Sequence, residues 1–178
     1  MQQASCSVNL HIRIFRKLIM EKLGFGKDKL FRMKYRNEPR HVMIGEREFR
    51  FKSKLEYRYA QYLEILRGQG HYTSWDYEPD VFTFEDEVRG AKVYTPDFRI
   101  ITAKGNTEYH ECKGLLTGSD VTKFKRMAKY YPMVDITLVF MKSNKRQANR
   151  IRTAMKYVRD VKYIGPTLRK LAGLIDMS

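Results

Sequence analysis

Near Gly68 and Gly70 the spacing of apolar residues along this chain changes from helical to alternating. That change limits what the chain can fold into, because the two periods belong to different backbones. Before it, Leu55, Tyr59, Tyr62, Leu63 and Leu66 fall on one face of a helix that Ser53 opens and the two glycines end. After it come four segments of strand character, at residues 72–77, 81–84, 93–101 and 107–113. Lys104-Gly105-Asn106 makes a tight turn between the last two, so they are expected to pair as a hairpin. A second helix is predicted over 119–131, with Pro132 closing it, and the branched apolar run 136–141 reads as a buried strand. Strands that begin as a meander and continue through a helix to a further strand predict an α/β fold, a mixed sheet flanked by helices. The opening helix is expected on one side, with the second helix packed near it.

The flanks are basic. Residues 41–51 read as a small hairpin around Gly45, and with them a core is expected over 41–142. Before it, residues 1–40 form a basic arm that includes a helix from His11 to Leu23, with Ile12, Phe15, Leu18, Ile19 and Leu23 on one face. After it, residues 143–178 form a basic helical extension, with one helix over 144–158 and a short one over 168–175. The 178 residues fit one compact domain with such extensions.

Charge narrows the partner. Lys and Arg number 35 against 20 Asp and Glu, a formal net charge of +15, while 43% hydrophobic residues supply a core. A surface this basic attracts polyanions, and nucleic acid is the usual one because each neutralised phosphate releases a counterion. Lys123, Lys125, Arg126 and Lys129 on the second helix are the candidate phosphate contacts, with Lys142, Lys145, Arg146, Arg150 and Arg152 after the last core strand. They are expected to position the duplex and not to read bases. The two cysteines, Cys6 and Cys112, suit reduced thiols and make neither a zinc site nor a disulfide scaffold. No apolar run approaches the ~20 residues of a membrane span. Arg13, Arg16 and Lys17 interrupt the hydrophobic stretch near the start, so a cytoplasmic protein with no membrane partner is expected.

The acidic residues of the predicted hairpin carry the chemistry. Asp97 lies in or entering one strand and Glu111 in the next, so the two are expected side by side at one end of the pair. Within the second strand Glu111 and Lys113 share one face, while His110 and Cys112 share the other. Two carboxylates offer hard oxygen ligands to Mg²⁺ while leaving positions for water and phosphate. A lysine two residues on reaches the same pocket, where it can orient water or balance phosphate charge.

Pro96-Asp97, followed fourteen residues later by Glu111-Cys112-Lys113, resembles the PD-(D/E)xK nuclease superfamily. The run Phe51-Lys52-Ser53-Lys54-Leu55-Glu56 looks like the opening helix of several phage and transposon members, which carries a further active-site glutamate. Tyr77-Glu78-Pro79, Phe82 and Tyr94-Thr95-Pro96-Asp97-Phe98 look like a phage-type subgroup. The similarity spans residues 49–141. It implies a restriction-endonuclease-like mixed sheet with core order αβββαβ. It also implies catalytic roles for Glu56, Asp97, Glu111 and Lys113, with one or two Mg²⁺ ions, or Mn²⁺ in their place. Asp97, Glu111, Glu56 and the backbone carbonyl of Cys112 would hold the metal. The reaction implied is phosphodiester hydrolysis leaving a 5′-phosphate and a 3′-hydroxyl, with no small-molecule cofactor. Small phage members include Holliday junction resolvases, which implies branched DNA as substrate and a homodimer making two symmetric cuts. The helix over 12–23 is the candidate dimer contact. Two other readings stand beside this one: a nicking or transposon-end endonuclease that needs a partner protein, and a non-catalytic nucleic-acid-binding protein with a nuclease-like fold.

Single residues carry structural alternatives. Ser53 and Glu56 have the spacing of a capping box. Glu111 and Lys113 suit a charge pair on a solvated face. Glu78 suits an exposed edge, His110 a structural role, and Trp75, Tyr77 and Phe82 the core.

Overall fold

The structure is a computed structural model that describes residues 40–84 and 90–176, with Arg40 and residues 171–176 described by backbone alone. The expected arm over 1–40, apart from Arg40, and its helix at 11–23 lie outside the described residues. The chain opens with a hairpin of β1 (Arg40–Ile44) and β2 (Arg47–Phe51), turned at Gly45, whose φ of +62° suits a residue without Cβ. Helix α1 (Lys54–Gly68) follows, then β3 (Tyr72–Tyr77), β4 (Phe82–Thr83), β5 (Val93–Tyr94), β6 (Phe98–Thr102) and β7 (Thr107–Cys112). Helix α2 (Gly118–Tyr130) leads to β8 (Ile136–Phe140). A 3₁₀ turn (Lys145–Gln147), α3 (Ala148–Ala154), β9 (Asp160–Tyr163) and α4 (Gly165–Asp176) complete the described residues.

The main sheet has the order β3-β6-β7-β8-β9. Pairs β3–β6 and β6–β7 are antiparallel, and β7–β8 and β8–β9 are parallel. This is a mixed α/β sheet flanked by helices, as the sequence predicts. Each parallel step requires a crossover, and α2 and α3 supply them. All five residues of β8 are buried, because the strand is covered on both faces. Phe98, Ile100, Cys112 and Val139 face Tyr59, Ala60 and Leu63 of α1, together with Trp75 and Phe51. Ile136, Leu138 and Phe140 face Phe124 and Met127 of α2 and Ile151 and Ala154 of α3.

Helix α2 therefore packs on the face opposite α1, which corrects the expectation that the two lie near each other. The α1 face is already filled by the first hairpin, α1 itself, Ile164 and Leu168, so the crossover to β8 takes the other side. The predicted strand 93–101 is also two strands. Pro96 has no N–H to give a ladder, and β5 leaves the main sheet there to pair with β4. The segment after 142 is no extension. Its β9 hydrogen-bonds to β8, and Ile151, Ala154, Ile164 and Leu168 enter the two cores. Nor is 144–158 one helix: Asn144 caps a 3₁₀ turn by accepting the Arg146 N–H at 3.0 Å, and α3 ends at Ala154. Among the described residues no helix is long and apolar enough to cross a membrane.

Candidate active site

The β6–β7 register pairs Phe98 with His110, which brings Asp97 and Glu111 opposite each other one step beyond. The Asp97 N–H donates to Glu111 Oε2 at 3.3 Å, and the Cys112 N–H donates to Asp97 Oδ2 at 2.7 Å. Each carboxylate is thus fixed by the other strand's backbone. Both are buried, with Asp97 9% and Glu111 4% exposed. From β5 the Tyr94 hydroxyl donates to the same Glu111 Oε2 at 3.0 Å. Lys113 Nζ lies 2.7 Å from Glu111 Oε1 and 3.2 Å from Asp120 Oδ1. Asp120 stands in the first turn of α2, where it forms a capping box with Thr117.

Glu56 enters from the first turn of α1. Its Oε2 accepts the N–H groups of Lys52 (2.9 Å) and Ser53 (3.2 Å) and the Tyr77 hydroxyl (2.6 Å). The capping-box alternative is correct for this residue. Its charge still reaches Asp97. Glu78 has the left-handed backbone, φ +47°, that only glycine adopts freely. Its N–H donates to the Asp97 carbonyl at 2.8 Å, and its carboxylate pairs with Lys52 Nζ at 2.5 Å. It is no simple edge residue, since it holds the backbone that carries Asp97.

Burial and crowding of like charge govern the titration here. Burial pushes the Asp97 carboxyl up to about 8, with Glu111 and Glu56 adding to the rise, while the Cys112 N–H and Lys113 oppose it. Burial also raises Glu111, against the pull of Lys113, Tyr94 and the Asp97 N–H. For Lys113, burial lowers the pKa, but Glu111, Asp120 and Asp97 outweigh it and hold the ammonium charged. Burial and the Glu111 charge keep the Tyr94 phenol protonated, so it remains a donor.

Asp97 and Glu111 thus share one neighbouring ammonium, that of Lys113, and without a further cation the Asp97 carboxyl keeps its proton up to about pH 8. That donor set fits a hard divalent cation such as Mg²⁺ or Mn²⁺, with Asp97 and Glu111 as ligands. Asp97 Oδ1 is clear of hydrogen bonds among the described residues. Among them no three His, Cys, Asp or Glu side chains gather into a metal-holding group, and Glu56 is committed to its helix cap.

The other predicted residues divide. His110 faces away as expected and is buried, with Nδ1 2.6 Å from the Tyr59 hydroxyl. The Cys112 thiol is buried in the α1 core. Trp75 is core and donates Nε1–H to Glu64 at 2.9 Å. Phe82 packs edge-on against Tyr109 and Tyr131. Lys125, Lys129, Lys142, Lys145, Arg146, Arg150 and Arg152 are exposed, and Lys123 is partly so. Arg126 is a correction. It is buried, donates to the Ala91 carbonyl and lies over the Phe84 ring, so it serves packing and not a phosphate. The segment after β8 also reaches the loop after Lys113. Gln147 Oε1 accepts the Leu116 N–H at 2.8 Å, and Arg150 donates to the Leu116 carbonyl at 2.7 Å.

Tyr94, Asp120 and Lys52 were absent from the predicted site. Only the Thr117-x-x-Asp120 spacing carried a local signal, and it pointed to a helix cap.

No curated protein and no solved structure matches the chain. One family model, described as "Protein of unknown function (DUF1064)", matches residues 32–148, a span that holds Glu56, Asp97, Glu111, Lys113 and Asp120. The chain belongs to the DUF1064 family.

Proposed function

We propose that this protein is a metal-dependent endodeoxyribonuclease that hydrolyses phosphodiester bonds in branched DNA, in the manner of a Holliday junction resolvase. One observation carries the reading: two carboxyl groups, Asp97 and Glu111, are buried against each other beside a single ammonium, that of Lys113. A protein that only binds nucleic acid gains nothing from such a pair, which repels phosphate unless a cation stands between them.

Asp97 and Glu111 would hold Mg²⁺ or Mn²⁺, with the backbone carbonyl of Cys112 as a further oxygen. When bound, the ion supplies Lewis acidity and neutralises charge at the phosphate. The chain's own groups do the rest. Tyr94 and the Asp97 N–H orient Glu111 through Oε2. Lys113 brings an ammonium that orients the attacking water or offsets phosphate charge in a buried pocket. Glu56 adds its charge from the α1 cap and contacts the centre only indirectly. Lys142, Lys145, Arg146 and Arg150 follow β8 and hold phosphates beside the loop after Lys113, with Lys123, Lys125 and Lys129 extending the track along α2. Two symmetric cuts call for a homodimer, and the chain would act in the cytoplasm, that of the host if a phage encodes it.

The test is incubation of a labelled four-way junction and a matched linear duplex with the protein, in Mg²⁺ or EDTA, beside Asp97→Ala. The proposal expects metal-dependent, symmetric cutting of the junction that Asp97→Ala abolishes. Equal cutting of both substrates would keep the nuclease and discard the preference for branches. Binding without cutting in either Mg²⁺ or Mn²⁺ would overturn the enzyme.

A further inference from the structure

We propose that Asp120 is a positioning residue that receives the Lys113 ammonium when a divalent cation takes its place at Glu111. The inference rests on the metal-centre reading above and deepens it. Lys113 Nζ is now shared, 2.7 Å from Glu111 Oε1 and 3.2 Å from Asp120 Oδ1. An ammonium and a divalent cation on the same carboxylate repel each other strongly in a buried pocket. Glu111 Oε2 already accepts from Tyr94 and from the Asp97 N–H, so Oε1 is the oxygen the two cations contest.

Asp120 is built for the exchange. Its Oδ2 accepts the Thr117 N–H at 2.8 Å and the Thr117 hydroxyl at 2.6 Å, which fixes the carboxylate at the start of α2. Its Oδ1 is the oxygen left facing Lys113. One oxygen thus starts the helix and the other holds the lysine. The residue is buried, so the ammonium meets a carboxylate that water screens little. Lys113 has a flexible stem and three donors, so it can settle on Asp120 by a small rotation and remain beside the reacting phosphate. Without Asp120 the ammonium keeps Glu111 as its close carboxylate and competes with the metal.

Mn²⁺ binding to the full chain, measured by calorimetry without DNA, tests this apart from activity. Asp120→Asn is expected to weaken Mn²⁺ binding by about tenfold. In a Lys113→Met background the same change should matter by less than about twofold, because the competitor is gone. Equal affinity of Asp120→Asn and wild type overturns the proposal. So does weakening that persists without Lys113. Absence of Mn²⁺ binding by the wild type overturns the metal centre itself and this inference with it. If Asp120→Asn fails to fold, the Mn²⁺-loaded wild-type crystal structure decides. Lys113 Nζ should then lie on Asp120 Oδ1, and Nζ still on Glu111 Oε1 overturns the exchange.

Discussion

Asp97 immediately precedes β6, and its carboxyl is pushed up to about 8, chiefly by burial and then by Glu111. The usual aspartate value is 3.8. Between those two values the native state holds a proton that the unfolded chain has lost. Stability of the metal-free protein therefore falls as pH rises through that window. In EDTA the thermal midpoint is expected to fall between pH 5 and pH 8. Asp97→Asn should flatten that slope and melt higher than wild type at pH 8, because it removes a buried charge and can still accept the Cys112 N–H. Added Mg²⁺ or Mn²⁺ should raise the wild-type midpoint at pH 8 and leave the variant where it was. Thermal scans across that range check all three; a wild-type midpoint that rises with pH contradicts the assignment. At this scale the sequence was legible for Asp97, Glu111 and Lys113, because a short turn and a period of two determine their relation. It was silent on Tyr94 and Asp120. Their roles depend on where β5 and α2 return to the sheet, and no local spacing encodes that.

Among the elements, α1, α2 and β8 were legible because caps, helical spacing and a branched apolar run mark them locally. The two-strand split at Pro96 and the edge strand β9 were not. β9 has four residues, none of them buried, and its pairing with β8 is a long-range fact. Arg126 shows the same limit on a helix. It counts as one more cation in the sequence, yet the turn that buries Phe124 and Met127 carries it inward too. This predicts different effects for basic residues of similar charge. Lys145→Ala with Arg146→Ala should lower the slope of log affinity against log salt by about 2. Arg126→Ala should leave the slope unchanged and lower stability, since it removes a partly buried hydrogen bond to Ala91. Salt titrations of DNA binding, beside urea unfolding, separate the two. An equal loss of slope in both variants would put Arg126 back on the DNA surface.

At the scale of the whole molecule, one sheet carries two cores, with α1 and the first hairpin on one face and α2 and α3 on the other. The acidic centre sits where β6 begins and β7 ends, beside the carboxyl end of the parallel pair β7–β8. Open α/β sheets commonly bind ligands at such an edge. The segment after β8 brings exposed cations to the same edge through Gln147 and Arg150. The net charge of +15 raises the expectation of a polyanion, but only the fold brings the segment after β8 to the loop that follows Lys113. Asp97 and Glu111 are proposed to share a divalent cation. Anomalous scattering from Mn²⁺ in crystals of the protein would locate that ion. A peak is expected roughly 2 Å from an oxygen of each carboxylate. Bound Mn²⁺ elsewhere, with no peak between Asp97 and Glu111, would contradict it.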